Sequence, residues 1–214
     1  IIMVILIILI VISVVLISEG ERKIPIQYAK RVVGRKMYGG QSTHIPVKVN
    51  MGGVMPIVFA SAVLAIPSTI SLFFGNGGQS GITNFFQNTT GGFIVYLIIQ
   101  SALILIFAYF YNQIQFNTVE YAKQLQQNGG FIPGIRPGKP TSEYLAKVAT
   151  RITFIGSIAL ALLTIIPAIA SKLLGLSLSF GGSSVIIVVG VIIETIKQLE
   201  AMMTMKQYKG FLNR

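Results

Sequence analysis

The side chains able to do chemistry are few and far apart. The single histidine, His44, has no carboxylate near it in sequence to orient it as a base, and the chain has no cysteine. A nucleophile with its base, or a Cys/His metal site, therefore lacks its parts, and His44 is read as a hydrogen-bonding loop residue. The acidic residues are six glutamates, scattered from Glu19 to Glu200. No glycine-rich phosphate loop and no metal-ligand spacing accompanies them, so the expectation is no enzyme, no cofactor and no metal. Glu194 and Lys197, three residues apart, fall on one helix face and are expected to form a structural ion pair, with a proton relay as the alternative. Gln100, Ser101, Asn112 and Gln113 interrupt an apolar run. Amides there face either a partner helix, as interhelical glue, or an aqueous path.

Two basic segments carry more information. The first holds Tyr28-Ala29-Lys30-Arg31 and Arg35-Lys36-Met37-Tyr38, basic pairs with aromatics between them. That surface suits a polyanion such as RNA, an anionic headgroup or an acidic protein, with binding that weakens in salt. The second holds Pro133-Gly134-Ile135-Arg136-Pro137-Gly138-Lys139-Pro140, where prolines and glycines fix the backbone around Arg136. An arginine on a stiff tip is a contact residue.

The elements that position these groups follow from composition. Of 214 residues, 53% are hydrophobic and 11% charged, the net charge is +11 and the mean hydropathy is +0.74. An ordinary soluble domain carries about 25% charged residues. A helix needs about 20 apolar residues to cross a bilayer, and five segments meet or approach that length: 1–17, 54–74, 93–116, 152–174 and 183–203. Their apolar residues run all round the helix, as lipid or a membrane bundle requires. The expected fold is an all-α, polytopic transmembrane bundle of five spans. Ile1 lies within an apolar run with no basic leader, so the chain is read as part of a longer protein and not as opening on a signal peptide.

Charge then orients the bundle. Segments 18–53, 117–151 and the end of the last span with its tail, 204–214, hold every cation but Lys172. The opposite connections, 75–92 and 175–182, hold no charge at all. The basic side is therefore expected to be cytoplasmic, which puts the C-terminus inside and Ile1 toward the outside of a multi-pass cell-membrane protein. The cytoplasmic loops are long enough to carry structure of their own. The second span contains Pro56 and Pro67 and a set of small residues, Ala60, Ser61, Ala62 and Ala65, which let a neighbouring helix approach and separate. Ser68 and Thr69 are placed to bond carbonyls freed by Pro67.

These strings carry a family resemblance. Glu19-Gly20-Glu21-Arg22-Lys23-Ile24-Pro25, then Gln41-Ser42-Thr43-His44-Ile45-Pro46-Val47-Lys48-Val49-Asn50, the Pro-Gly-Ile-Arg-Pro-Gly core at 133–138, and Phe180-Gly181-Gly182-Ser183-Ser184 resemble the C-terminal half of the SecY family of bacterial protein-conducting channels. The resemblance implies spans six to ten of a ten-span channel built from two pseudo-symmetric halves. It implies a pore ring of aliphatic side chains, matched here by Val58 and Ile187, that a polypeptide pushes aside and a hydrated ion does not enter. It places Ser61, Ala62, Ala65 and Asn112 at a lateral gate that releases membrane segments to lipid. It assigns Arg136 to contact with the motor ATPase SecA, and Arg35 and Lys36 to SecA or the ribosome and its RNA. SecE and SecG are the implied partner subunits, and a translocating polypeptide with its signal sequence is the implied cargo. The family's plug and the opposing gate wall have no counterpart in this chain. From the residues alone, half of an inverted-repeat secondary transporter for a small solute is the alternative. The span centres offer aliphatics with Ser or Thr where such a transporter would place charged ligands.

Overall fold

The structure, a computed structural model, describes residues 2–28, 31–33, 36–38, 42–74, 89–173 and 182–212. Five long helices form the bundle: α1 Ile2–Glu19, α2 Met55–Phe74, α3 Thr90–Gln115, α5 Lys139–Leu173 and α6 Gly182–Leu212. Each overlaps one of the expected apolar segments, and α5 starts well before its segment while α6 ends well after its own. By length and composition α3 and α5 qualify as membrane-crossing helices. The proline at the second position of α2, Pro56, sits in the first turn, where no backbone donor is needed, whereas Pro67 lies inside the helix. The hydroxyl of Thr69 donates to Ala65 O at 2.9 Å. The carbonyl that Pro67 frees belongs to Val63, four residues earlier, so Thr69 does not serve it as the sequence reading expected.

All five helices contribute to one apolar core: Ile10 and Val14 of α1, Ile57 and Ala60 of α2, Ile104 of α3, Leu160 and Leu163 of α5, and Ile186 of α6. Close crossings depend on two glycines. A Cβ at Gly190 of α6 would collide with the Val54 side chain at the entrance to α2, and one at Gly156 of α5 would collide with the Val49 backbone carbonyl. At the far end of the bundle Lys172 of α5 lies 4.1 Å over the ring of Phe93 on α3. This cation–π contact ties the two helix ends together.

Both long connections are structured, and here the fold adds strands to the expected helices. The first holds β1 Glu21–Tyr28, β2 Arg31–Val33, β3 Lys36–Tyr38 and β4 Ser42–Lys48, and the second holds α4 Thr118–Gln127 and β5 Gly130–Phe131. β1 pairs antiparallel with β4 from Glu21 opposite Lys48 to Gln27 opposite Ser42, and with β5 through Gln27 opposite Phe131. β2 and β3 form a separate hairpin. Ile24 and Ile26 of β1 are buried while Lys23, Pro25 and Gln27 are exposed, the alternation of a sheet with one dry face. That face rests on the first four turns of α5 through Ile24, Val47, Leu145, Val148, Ala149 and Ile152, with Phe116 and Ile132 closing the sides. Each fully buried side chain of this size contributes about 1.5–3 kcal/mol relative to water. Helix α4 starts at Asn117, whose side chain accepts from Glu120 N at 3.3 Å. Phe116 stacks on Tyr121 across the junction of α3 and α4, ring centroids 4.8 Å apart, and α4 packs against α5.

Candidate functional site

Three features carry the functional geometry: an open stripe on α2, the tip before α5, and a cavity where the helices meet the sheet.

At 100° per residue, Val58, Ser61, Ala62 and Ala65 lie on one face of α2. The structure buries the opposite face, Pro56, Ile57 and Ala60, against the core and leaves this one open. Val58 and Ser61 are half-buried, Ala62 and Ala65 exposed, and the Ser61 hydroxyl donates to Val58 O at 2.9 Å. The stripe therefore presents small, internally satisfied side chains to whatever stands opposite. Phe59 leans toward α3, its ring centroid 5.6 Å from Phe107 and 5.7 Å from Tyr111. Ile187 of α6 is half-buried against the core, and α2 and α6 touch, so Val58 and Ile187 sit on neighbouring helices. Asn112 stands apart from the stripe. It is buried on α3, and its Oδ1 has no hydrogen-bond partner among the described residues. Gln100 is buried too and Gln113 exposed, so the interior amides are Gln100 and Asn112.

The tip is fixed at both ends. Ile132 is buried, Ile135 N donates to Ile132 O at 3.0 Å, and Gly134 and Gly138 take positive φ of 84° and 101°. Those angles favour glycine. The hydroxyl of buried Thr141 donates to Arg136 O at 2.8 Å, pinning the arginine's own backbone, while its side chain is exposed. Tyr28 of β1 pairs antiparallel with Gly130 of β5 and Gln27 with Phe131, so the start of β5 lies at the sheet end where the chain goes on to β2, and the tip follows from Phe131. Lys36 is the first residue of β3, and Arg35 lies outside the described residues.

At the junction, Asn50 Nδ2 donates to Gly53 O at 2.9 Å and closes the turn from β4 into α2, with Gly53 at φ 59°. Beside this turn is a cavity of about 280 Å³. Sequence spacing paired Lys197 with Glu194; the structure pairs it with Glu19 at the end of α1, Nζ to Oε1 2.9 Å, and with Ser18 O at 3.4 Å. A tertiary contact has displaced the local one. The hydrogen bond from Lys197, its charge and that of Lys48 hold the Glu19 carboxyl below the usual carboxylate range. A lowered carboxyl pKa contributes stability that is present above the unfolded value and lost as pH falls through the folded one. The melting difference between the parent and Glu19→Gln should therefore be present at about pH 7 and shrink as pH falls below the ordinary glutamate range. A difference that does not change with pH would contradict the pair.

Comparison with known proteins converges on one family. The sequence model of the SecY family matches residues 1–196. The chain belongs to the SecY family. It is 46% identical over 203 residues to the protein translocase subunit SecY of Streptomyces galbus, covering 93% of this chain and 46% of that one. To the SecY of Thermus thermophilus it is 44% identical over 200 residues, covering 92% and 45%. The chain thus spans about half the length of the SecY relatives it matches. A solved structure of a protein conducting channel aligns with a TM-score of 0.65 at 20% identity, over 92% of this chain and 48% of that one. A second, of a SecY whose plug domain stabilises the closed state, aligns at 0.64 and 21%. At those identities the likeness shows the fold, a helical membrane fold of the SecY type. Of the residues that motif reading missed, Gly156, Gly190 and the Glu19 partner of Lys197 act through contacts between distant segments, while Thr141 acts locally on Arg136, five residues earlier.

Proposed function

We propose that this chain supplies one half of a SecY-type protein-conducting channel, passing unfolded secretory polypeptides across the cell membrane and releasing membrane segments sideways into lipid. The observation that carries the reading is the open stripe Val58, Ser61, Ala62, Ala65 on α2 beside the aliphatic Ile187. Val58 and Ile187 form part of an apolar ring, which offers no polar substitute for an ion's water yet yields to a peptide. Ser61, Ala62 and Ala65 form the gate face against the opposing half, and Asn112 behind them on α3 adds a polar contact that bonds when the gate rearranges. SecE and SecG are the partner subunits in this reading. Arg136 meets the motor ATPase SecA, and Arg35 and Lys36 meet SecA or the ribosome and its RNA. The sheet end lies in the cytoplasm with the C-terminus, as the charge asymmetry requires. ATP hydrolysis belongs to the motor and not to this chain.

Ile187→Asn tests the ring. A polar side chain there hydrates the constriction, so in the full-length protein ion leak should rise and export of precursors with defective signal sequences should increase about ten-fold, the equivalent of roughly 1.4 kcal/mol. Unchanged leak together with unchanged signal stringency would remove Ile187 from the ring.

A further inference from the structure

The cavity beside the β4–α2 turn has the make-up of a ligand site. Its wall includes Ser18, Val54 and Phe116, residues that mark the limits of three of the apolar segments. It therefore lies at the depth where those helices leave hydrocarbon. Val54, Phe116 and Ile193 supply apolar lining, and the polar lining carries both signs. The Lys197 charge is already matched by Glu19. Lys48, whose charge also acts on Glu19 from beyond ion-pair distance, and Glu194 are both exposed residues of the cavity lining and form no ion pair among the described residues. Glu194 Oε2 lies 3.4 Å from where a Cβ on Gly53 would stand, so glycine at that turn leaves the carboxylate approachable.

We propose that this cavity binds a phosphoethanolamine zwitterion, its ammonium on the Glu194 carboxylate and its phosphate on the Lys48 ammonium. A carboxylate and an ammonium on one cavity wall, neither in an ion pair among the described residues, suit a ligand that carries both charges. The carboxylate selects a primary ammonium because N–H donors make strong charge-assisted hydrogen bonds, while a trimethylammonium has no N–H to give and is bulkier. A headgroup bearing phosphate alone would leave Glu194 unmatched. The same chemistry occurs in a membrane lipid and in soluble glycerophosphoethanolamine. Interfacial depth and apolar lining favour the lipid, whose glycerol and first methylenes would cover Val54 and Ile193. The inference goes beyond the channel reading and is read from binding, so it stands or falls without any translocation assay.

The test is native mass spectrometry of the full-length protein, released from mixed micelles holding equal amounts of phosphatidylethanolamine, phosphatidylcholine and phosphatidylglycerol. The parent should retain phosphatidylethanolamine about ten-fold over phosphatidylcholine, the scale of one charge-assisted hydrogen bond. Glu194→Gln should bring that ratio close to one with the melting temperature unchanged, whereas Lys48→Gln, which removes the contact to the phosphate that both lipids share, should lower retention of both and leave their ratio unchanged. Glu194→Asp, which keeps the charge, should keep the preference. Soluble glycerophosphoethanolamine in excess should fail to displace the lipid; displacement at comparable concentration would overturn the lipid source in favour of the free headgroup. Equal retention of the lipids by the parent, an undiminished preference in Glu194→Gln, or its loss in Glu194→Asp would overturn the site.

Discussion

Replacing Arg136 by glutamate is expected to abolish motor-driven export while the protein still inserts in the membrane. The tip that carries Arg136 has its backbone fixed by the Thr141 hydroxyl at 2.8 Å and by two glycines at positive φ. The side chain therefore reaches a partner without a large ordering cost, the condition under which an arginine becomes a binding hot spot. Loss of such a contact costs about 2 kcal/mol or more, and reversing the charge adds repulsion, so affinity for the motor should fall by at least about thirty-fold. The matching control is Thr141→Val. It leaves the guanidinium in place and frees the backbone, so it should weaken export less than the charge reversal does. The readout is ATP-driven precursor uptake into vesicles carrying the full-length protein. Normal uptake by Arg136→Glu would end the contact role.

The second large effect is structural and falls on Gly156→Ala. A single methyl there meets the Val49 backbone carbonyl, in the segment that joins the sheet to α2. A carbonyl in a hydrogen-bonded chain cannot rotate aside, and Val49 N is already held by Gly20 O at 2.8 Å. The sheet must lift from α5 or the helix must shift, at about 1–3 kcal/mol. Gly190→Ala provides the contrast, because its methyl meets the side chain of Val54 and not a backbone. Adding Val54→Ala should rescue Gly190→Ala, whereas no side-chain truncation at Val49 should fully rescue Gly156→Ala. Thermal unfolding of the full-length protein, with proteolysis of the first cytoplasmic connection as a second readout, checks both. An unchanged melting temperature and cleavage rate in Gly156→Ala would contradict the crossing.

What could be read from the chain depended on the range of the interaction that decides each feature. The five helices were legible because lipid demands runs of apolar residues, a signal contained within each segment. The early start of α5 at Lys139 was less visible. Its first turns are amphipathic, burying Thr141, Leu145, Val148 and Ala149 on one side only, so a search for all-round apolarity begins at residue 152. A capping signal for α4, Asn117 followed by Glu120, is local and present in the chain. β1 and β4 each contain a proline, Pro25 and Pro46, which argues against a strand until the sheet places Pro46 on an edge strand. β5 is two residues long and exists through its pairing with β1. At the site, the face shared by Val58, Ser61, Ala62 and Ala65 follows from helical spacing alone. The partner of Lys197 does not, because Glu19 is brought to it by α1 packing on α6.

The central claim is that a polypeptide passes between Val58 and Ile187 and their counterparts in the opposing half. A photo-crosslinking amino acid placed at each position in the full-length protein, presented with a stalled secretory chain, tests this most directly. Adducts to the chain at both positions are the predicted result. Absence of adducts at both, with the chain shown to be bound at the membrane, would contradict passage of a polypeptide between Val58 and Ile187.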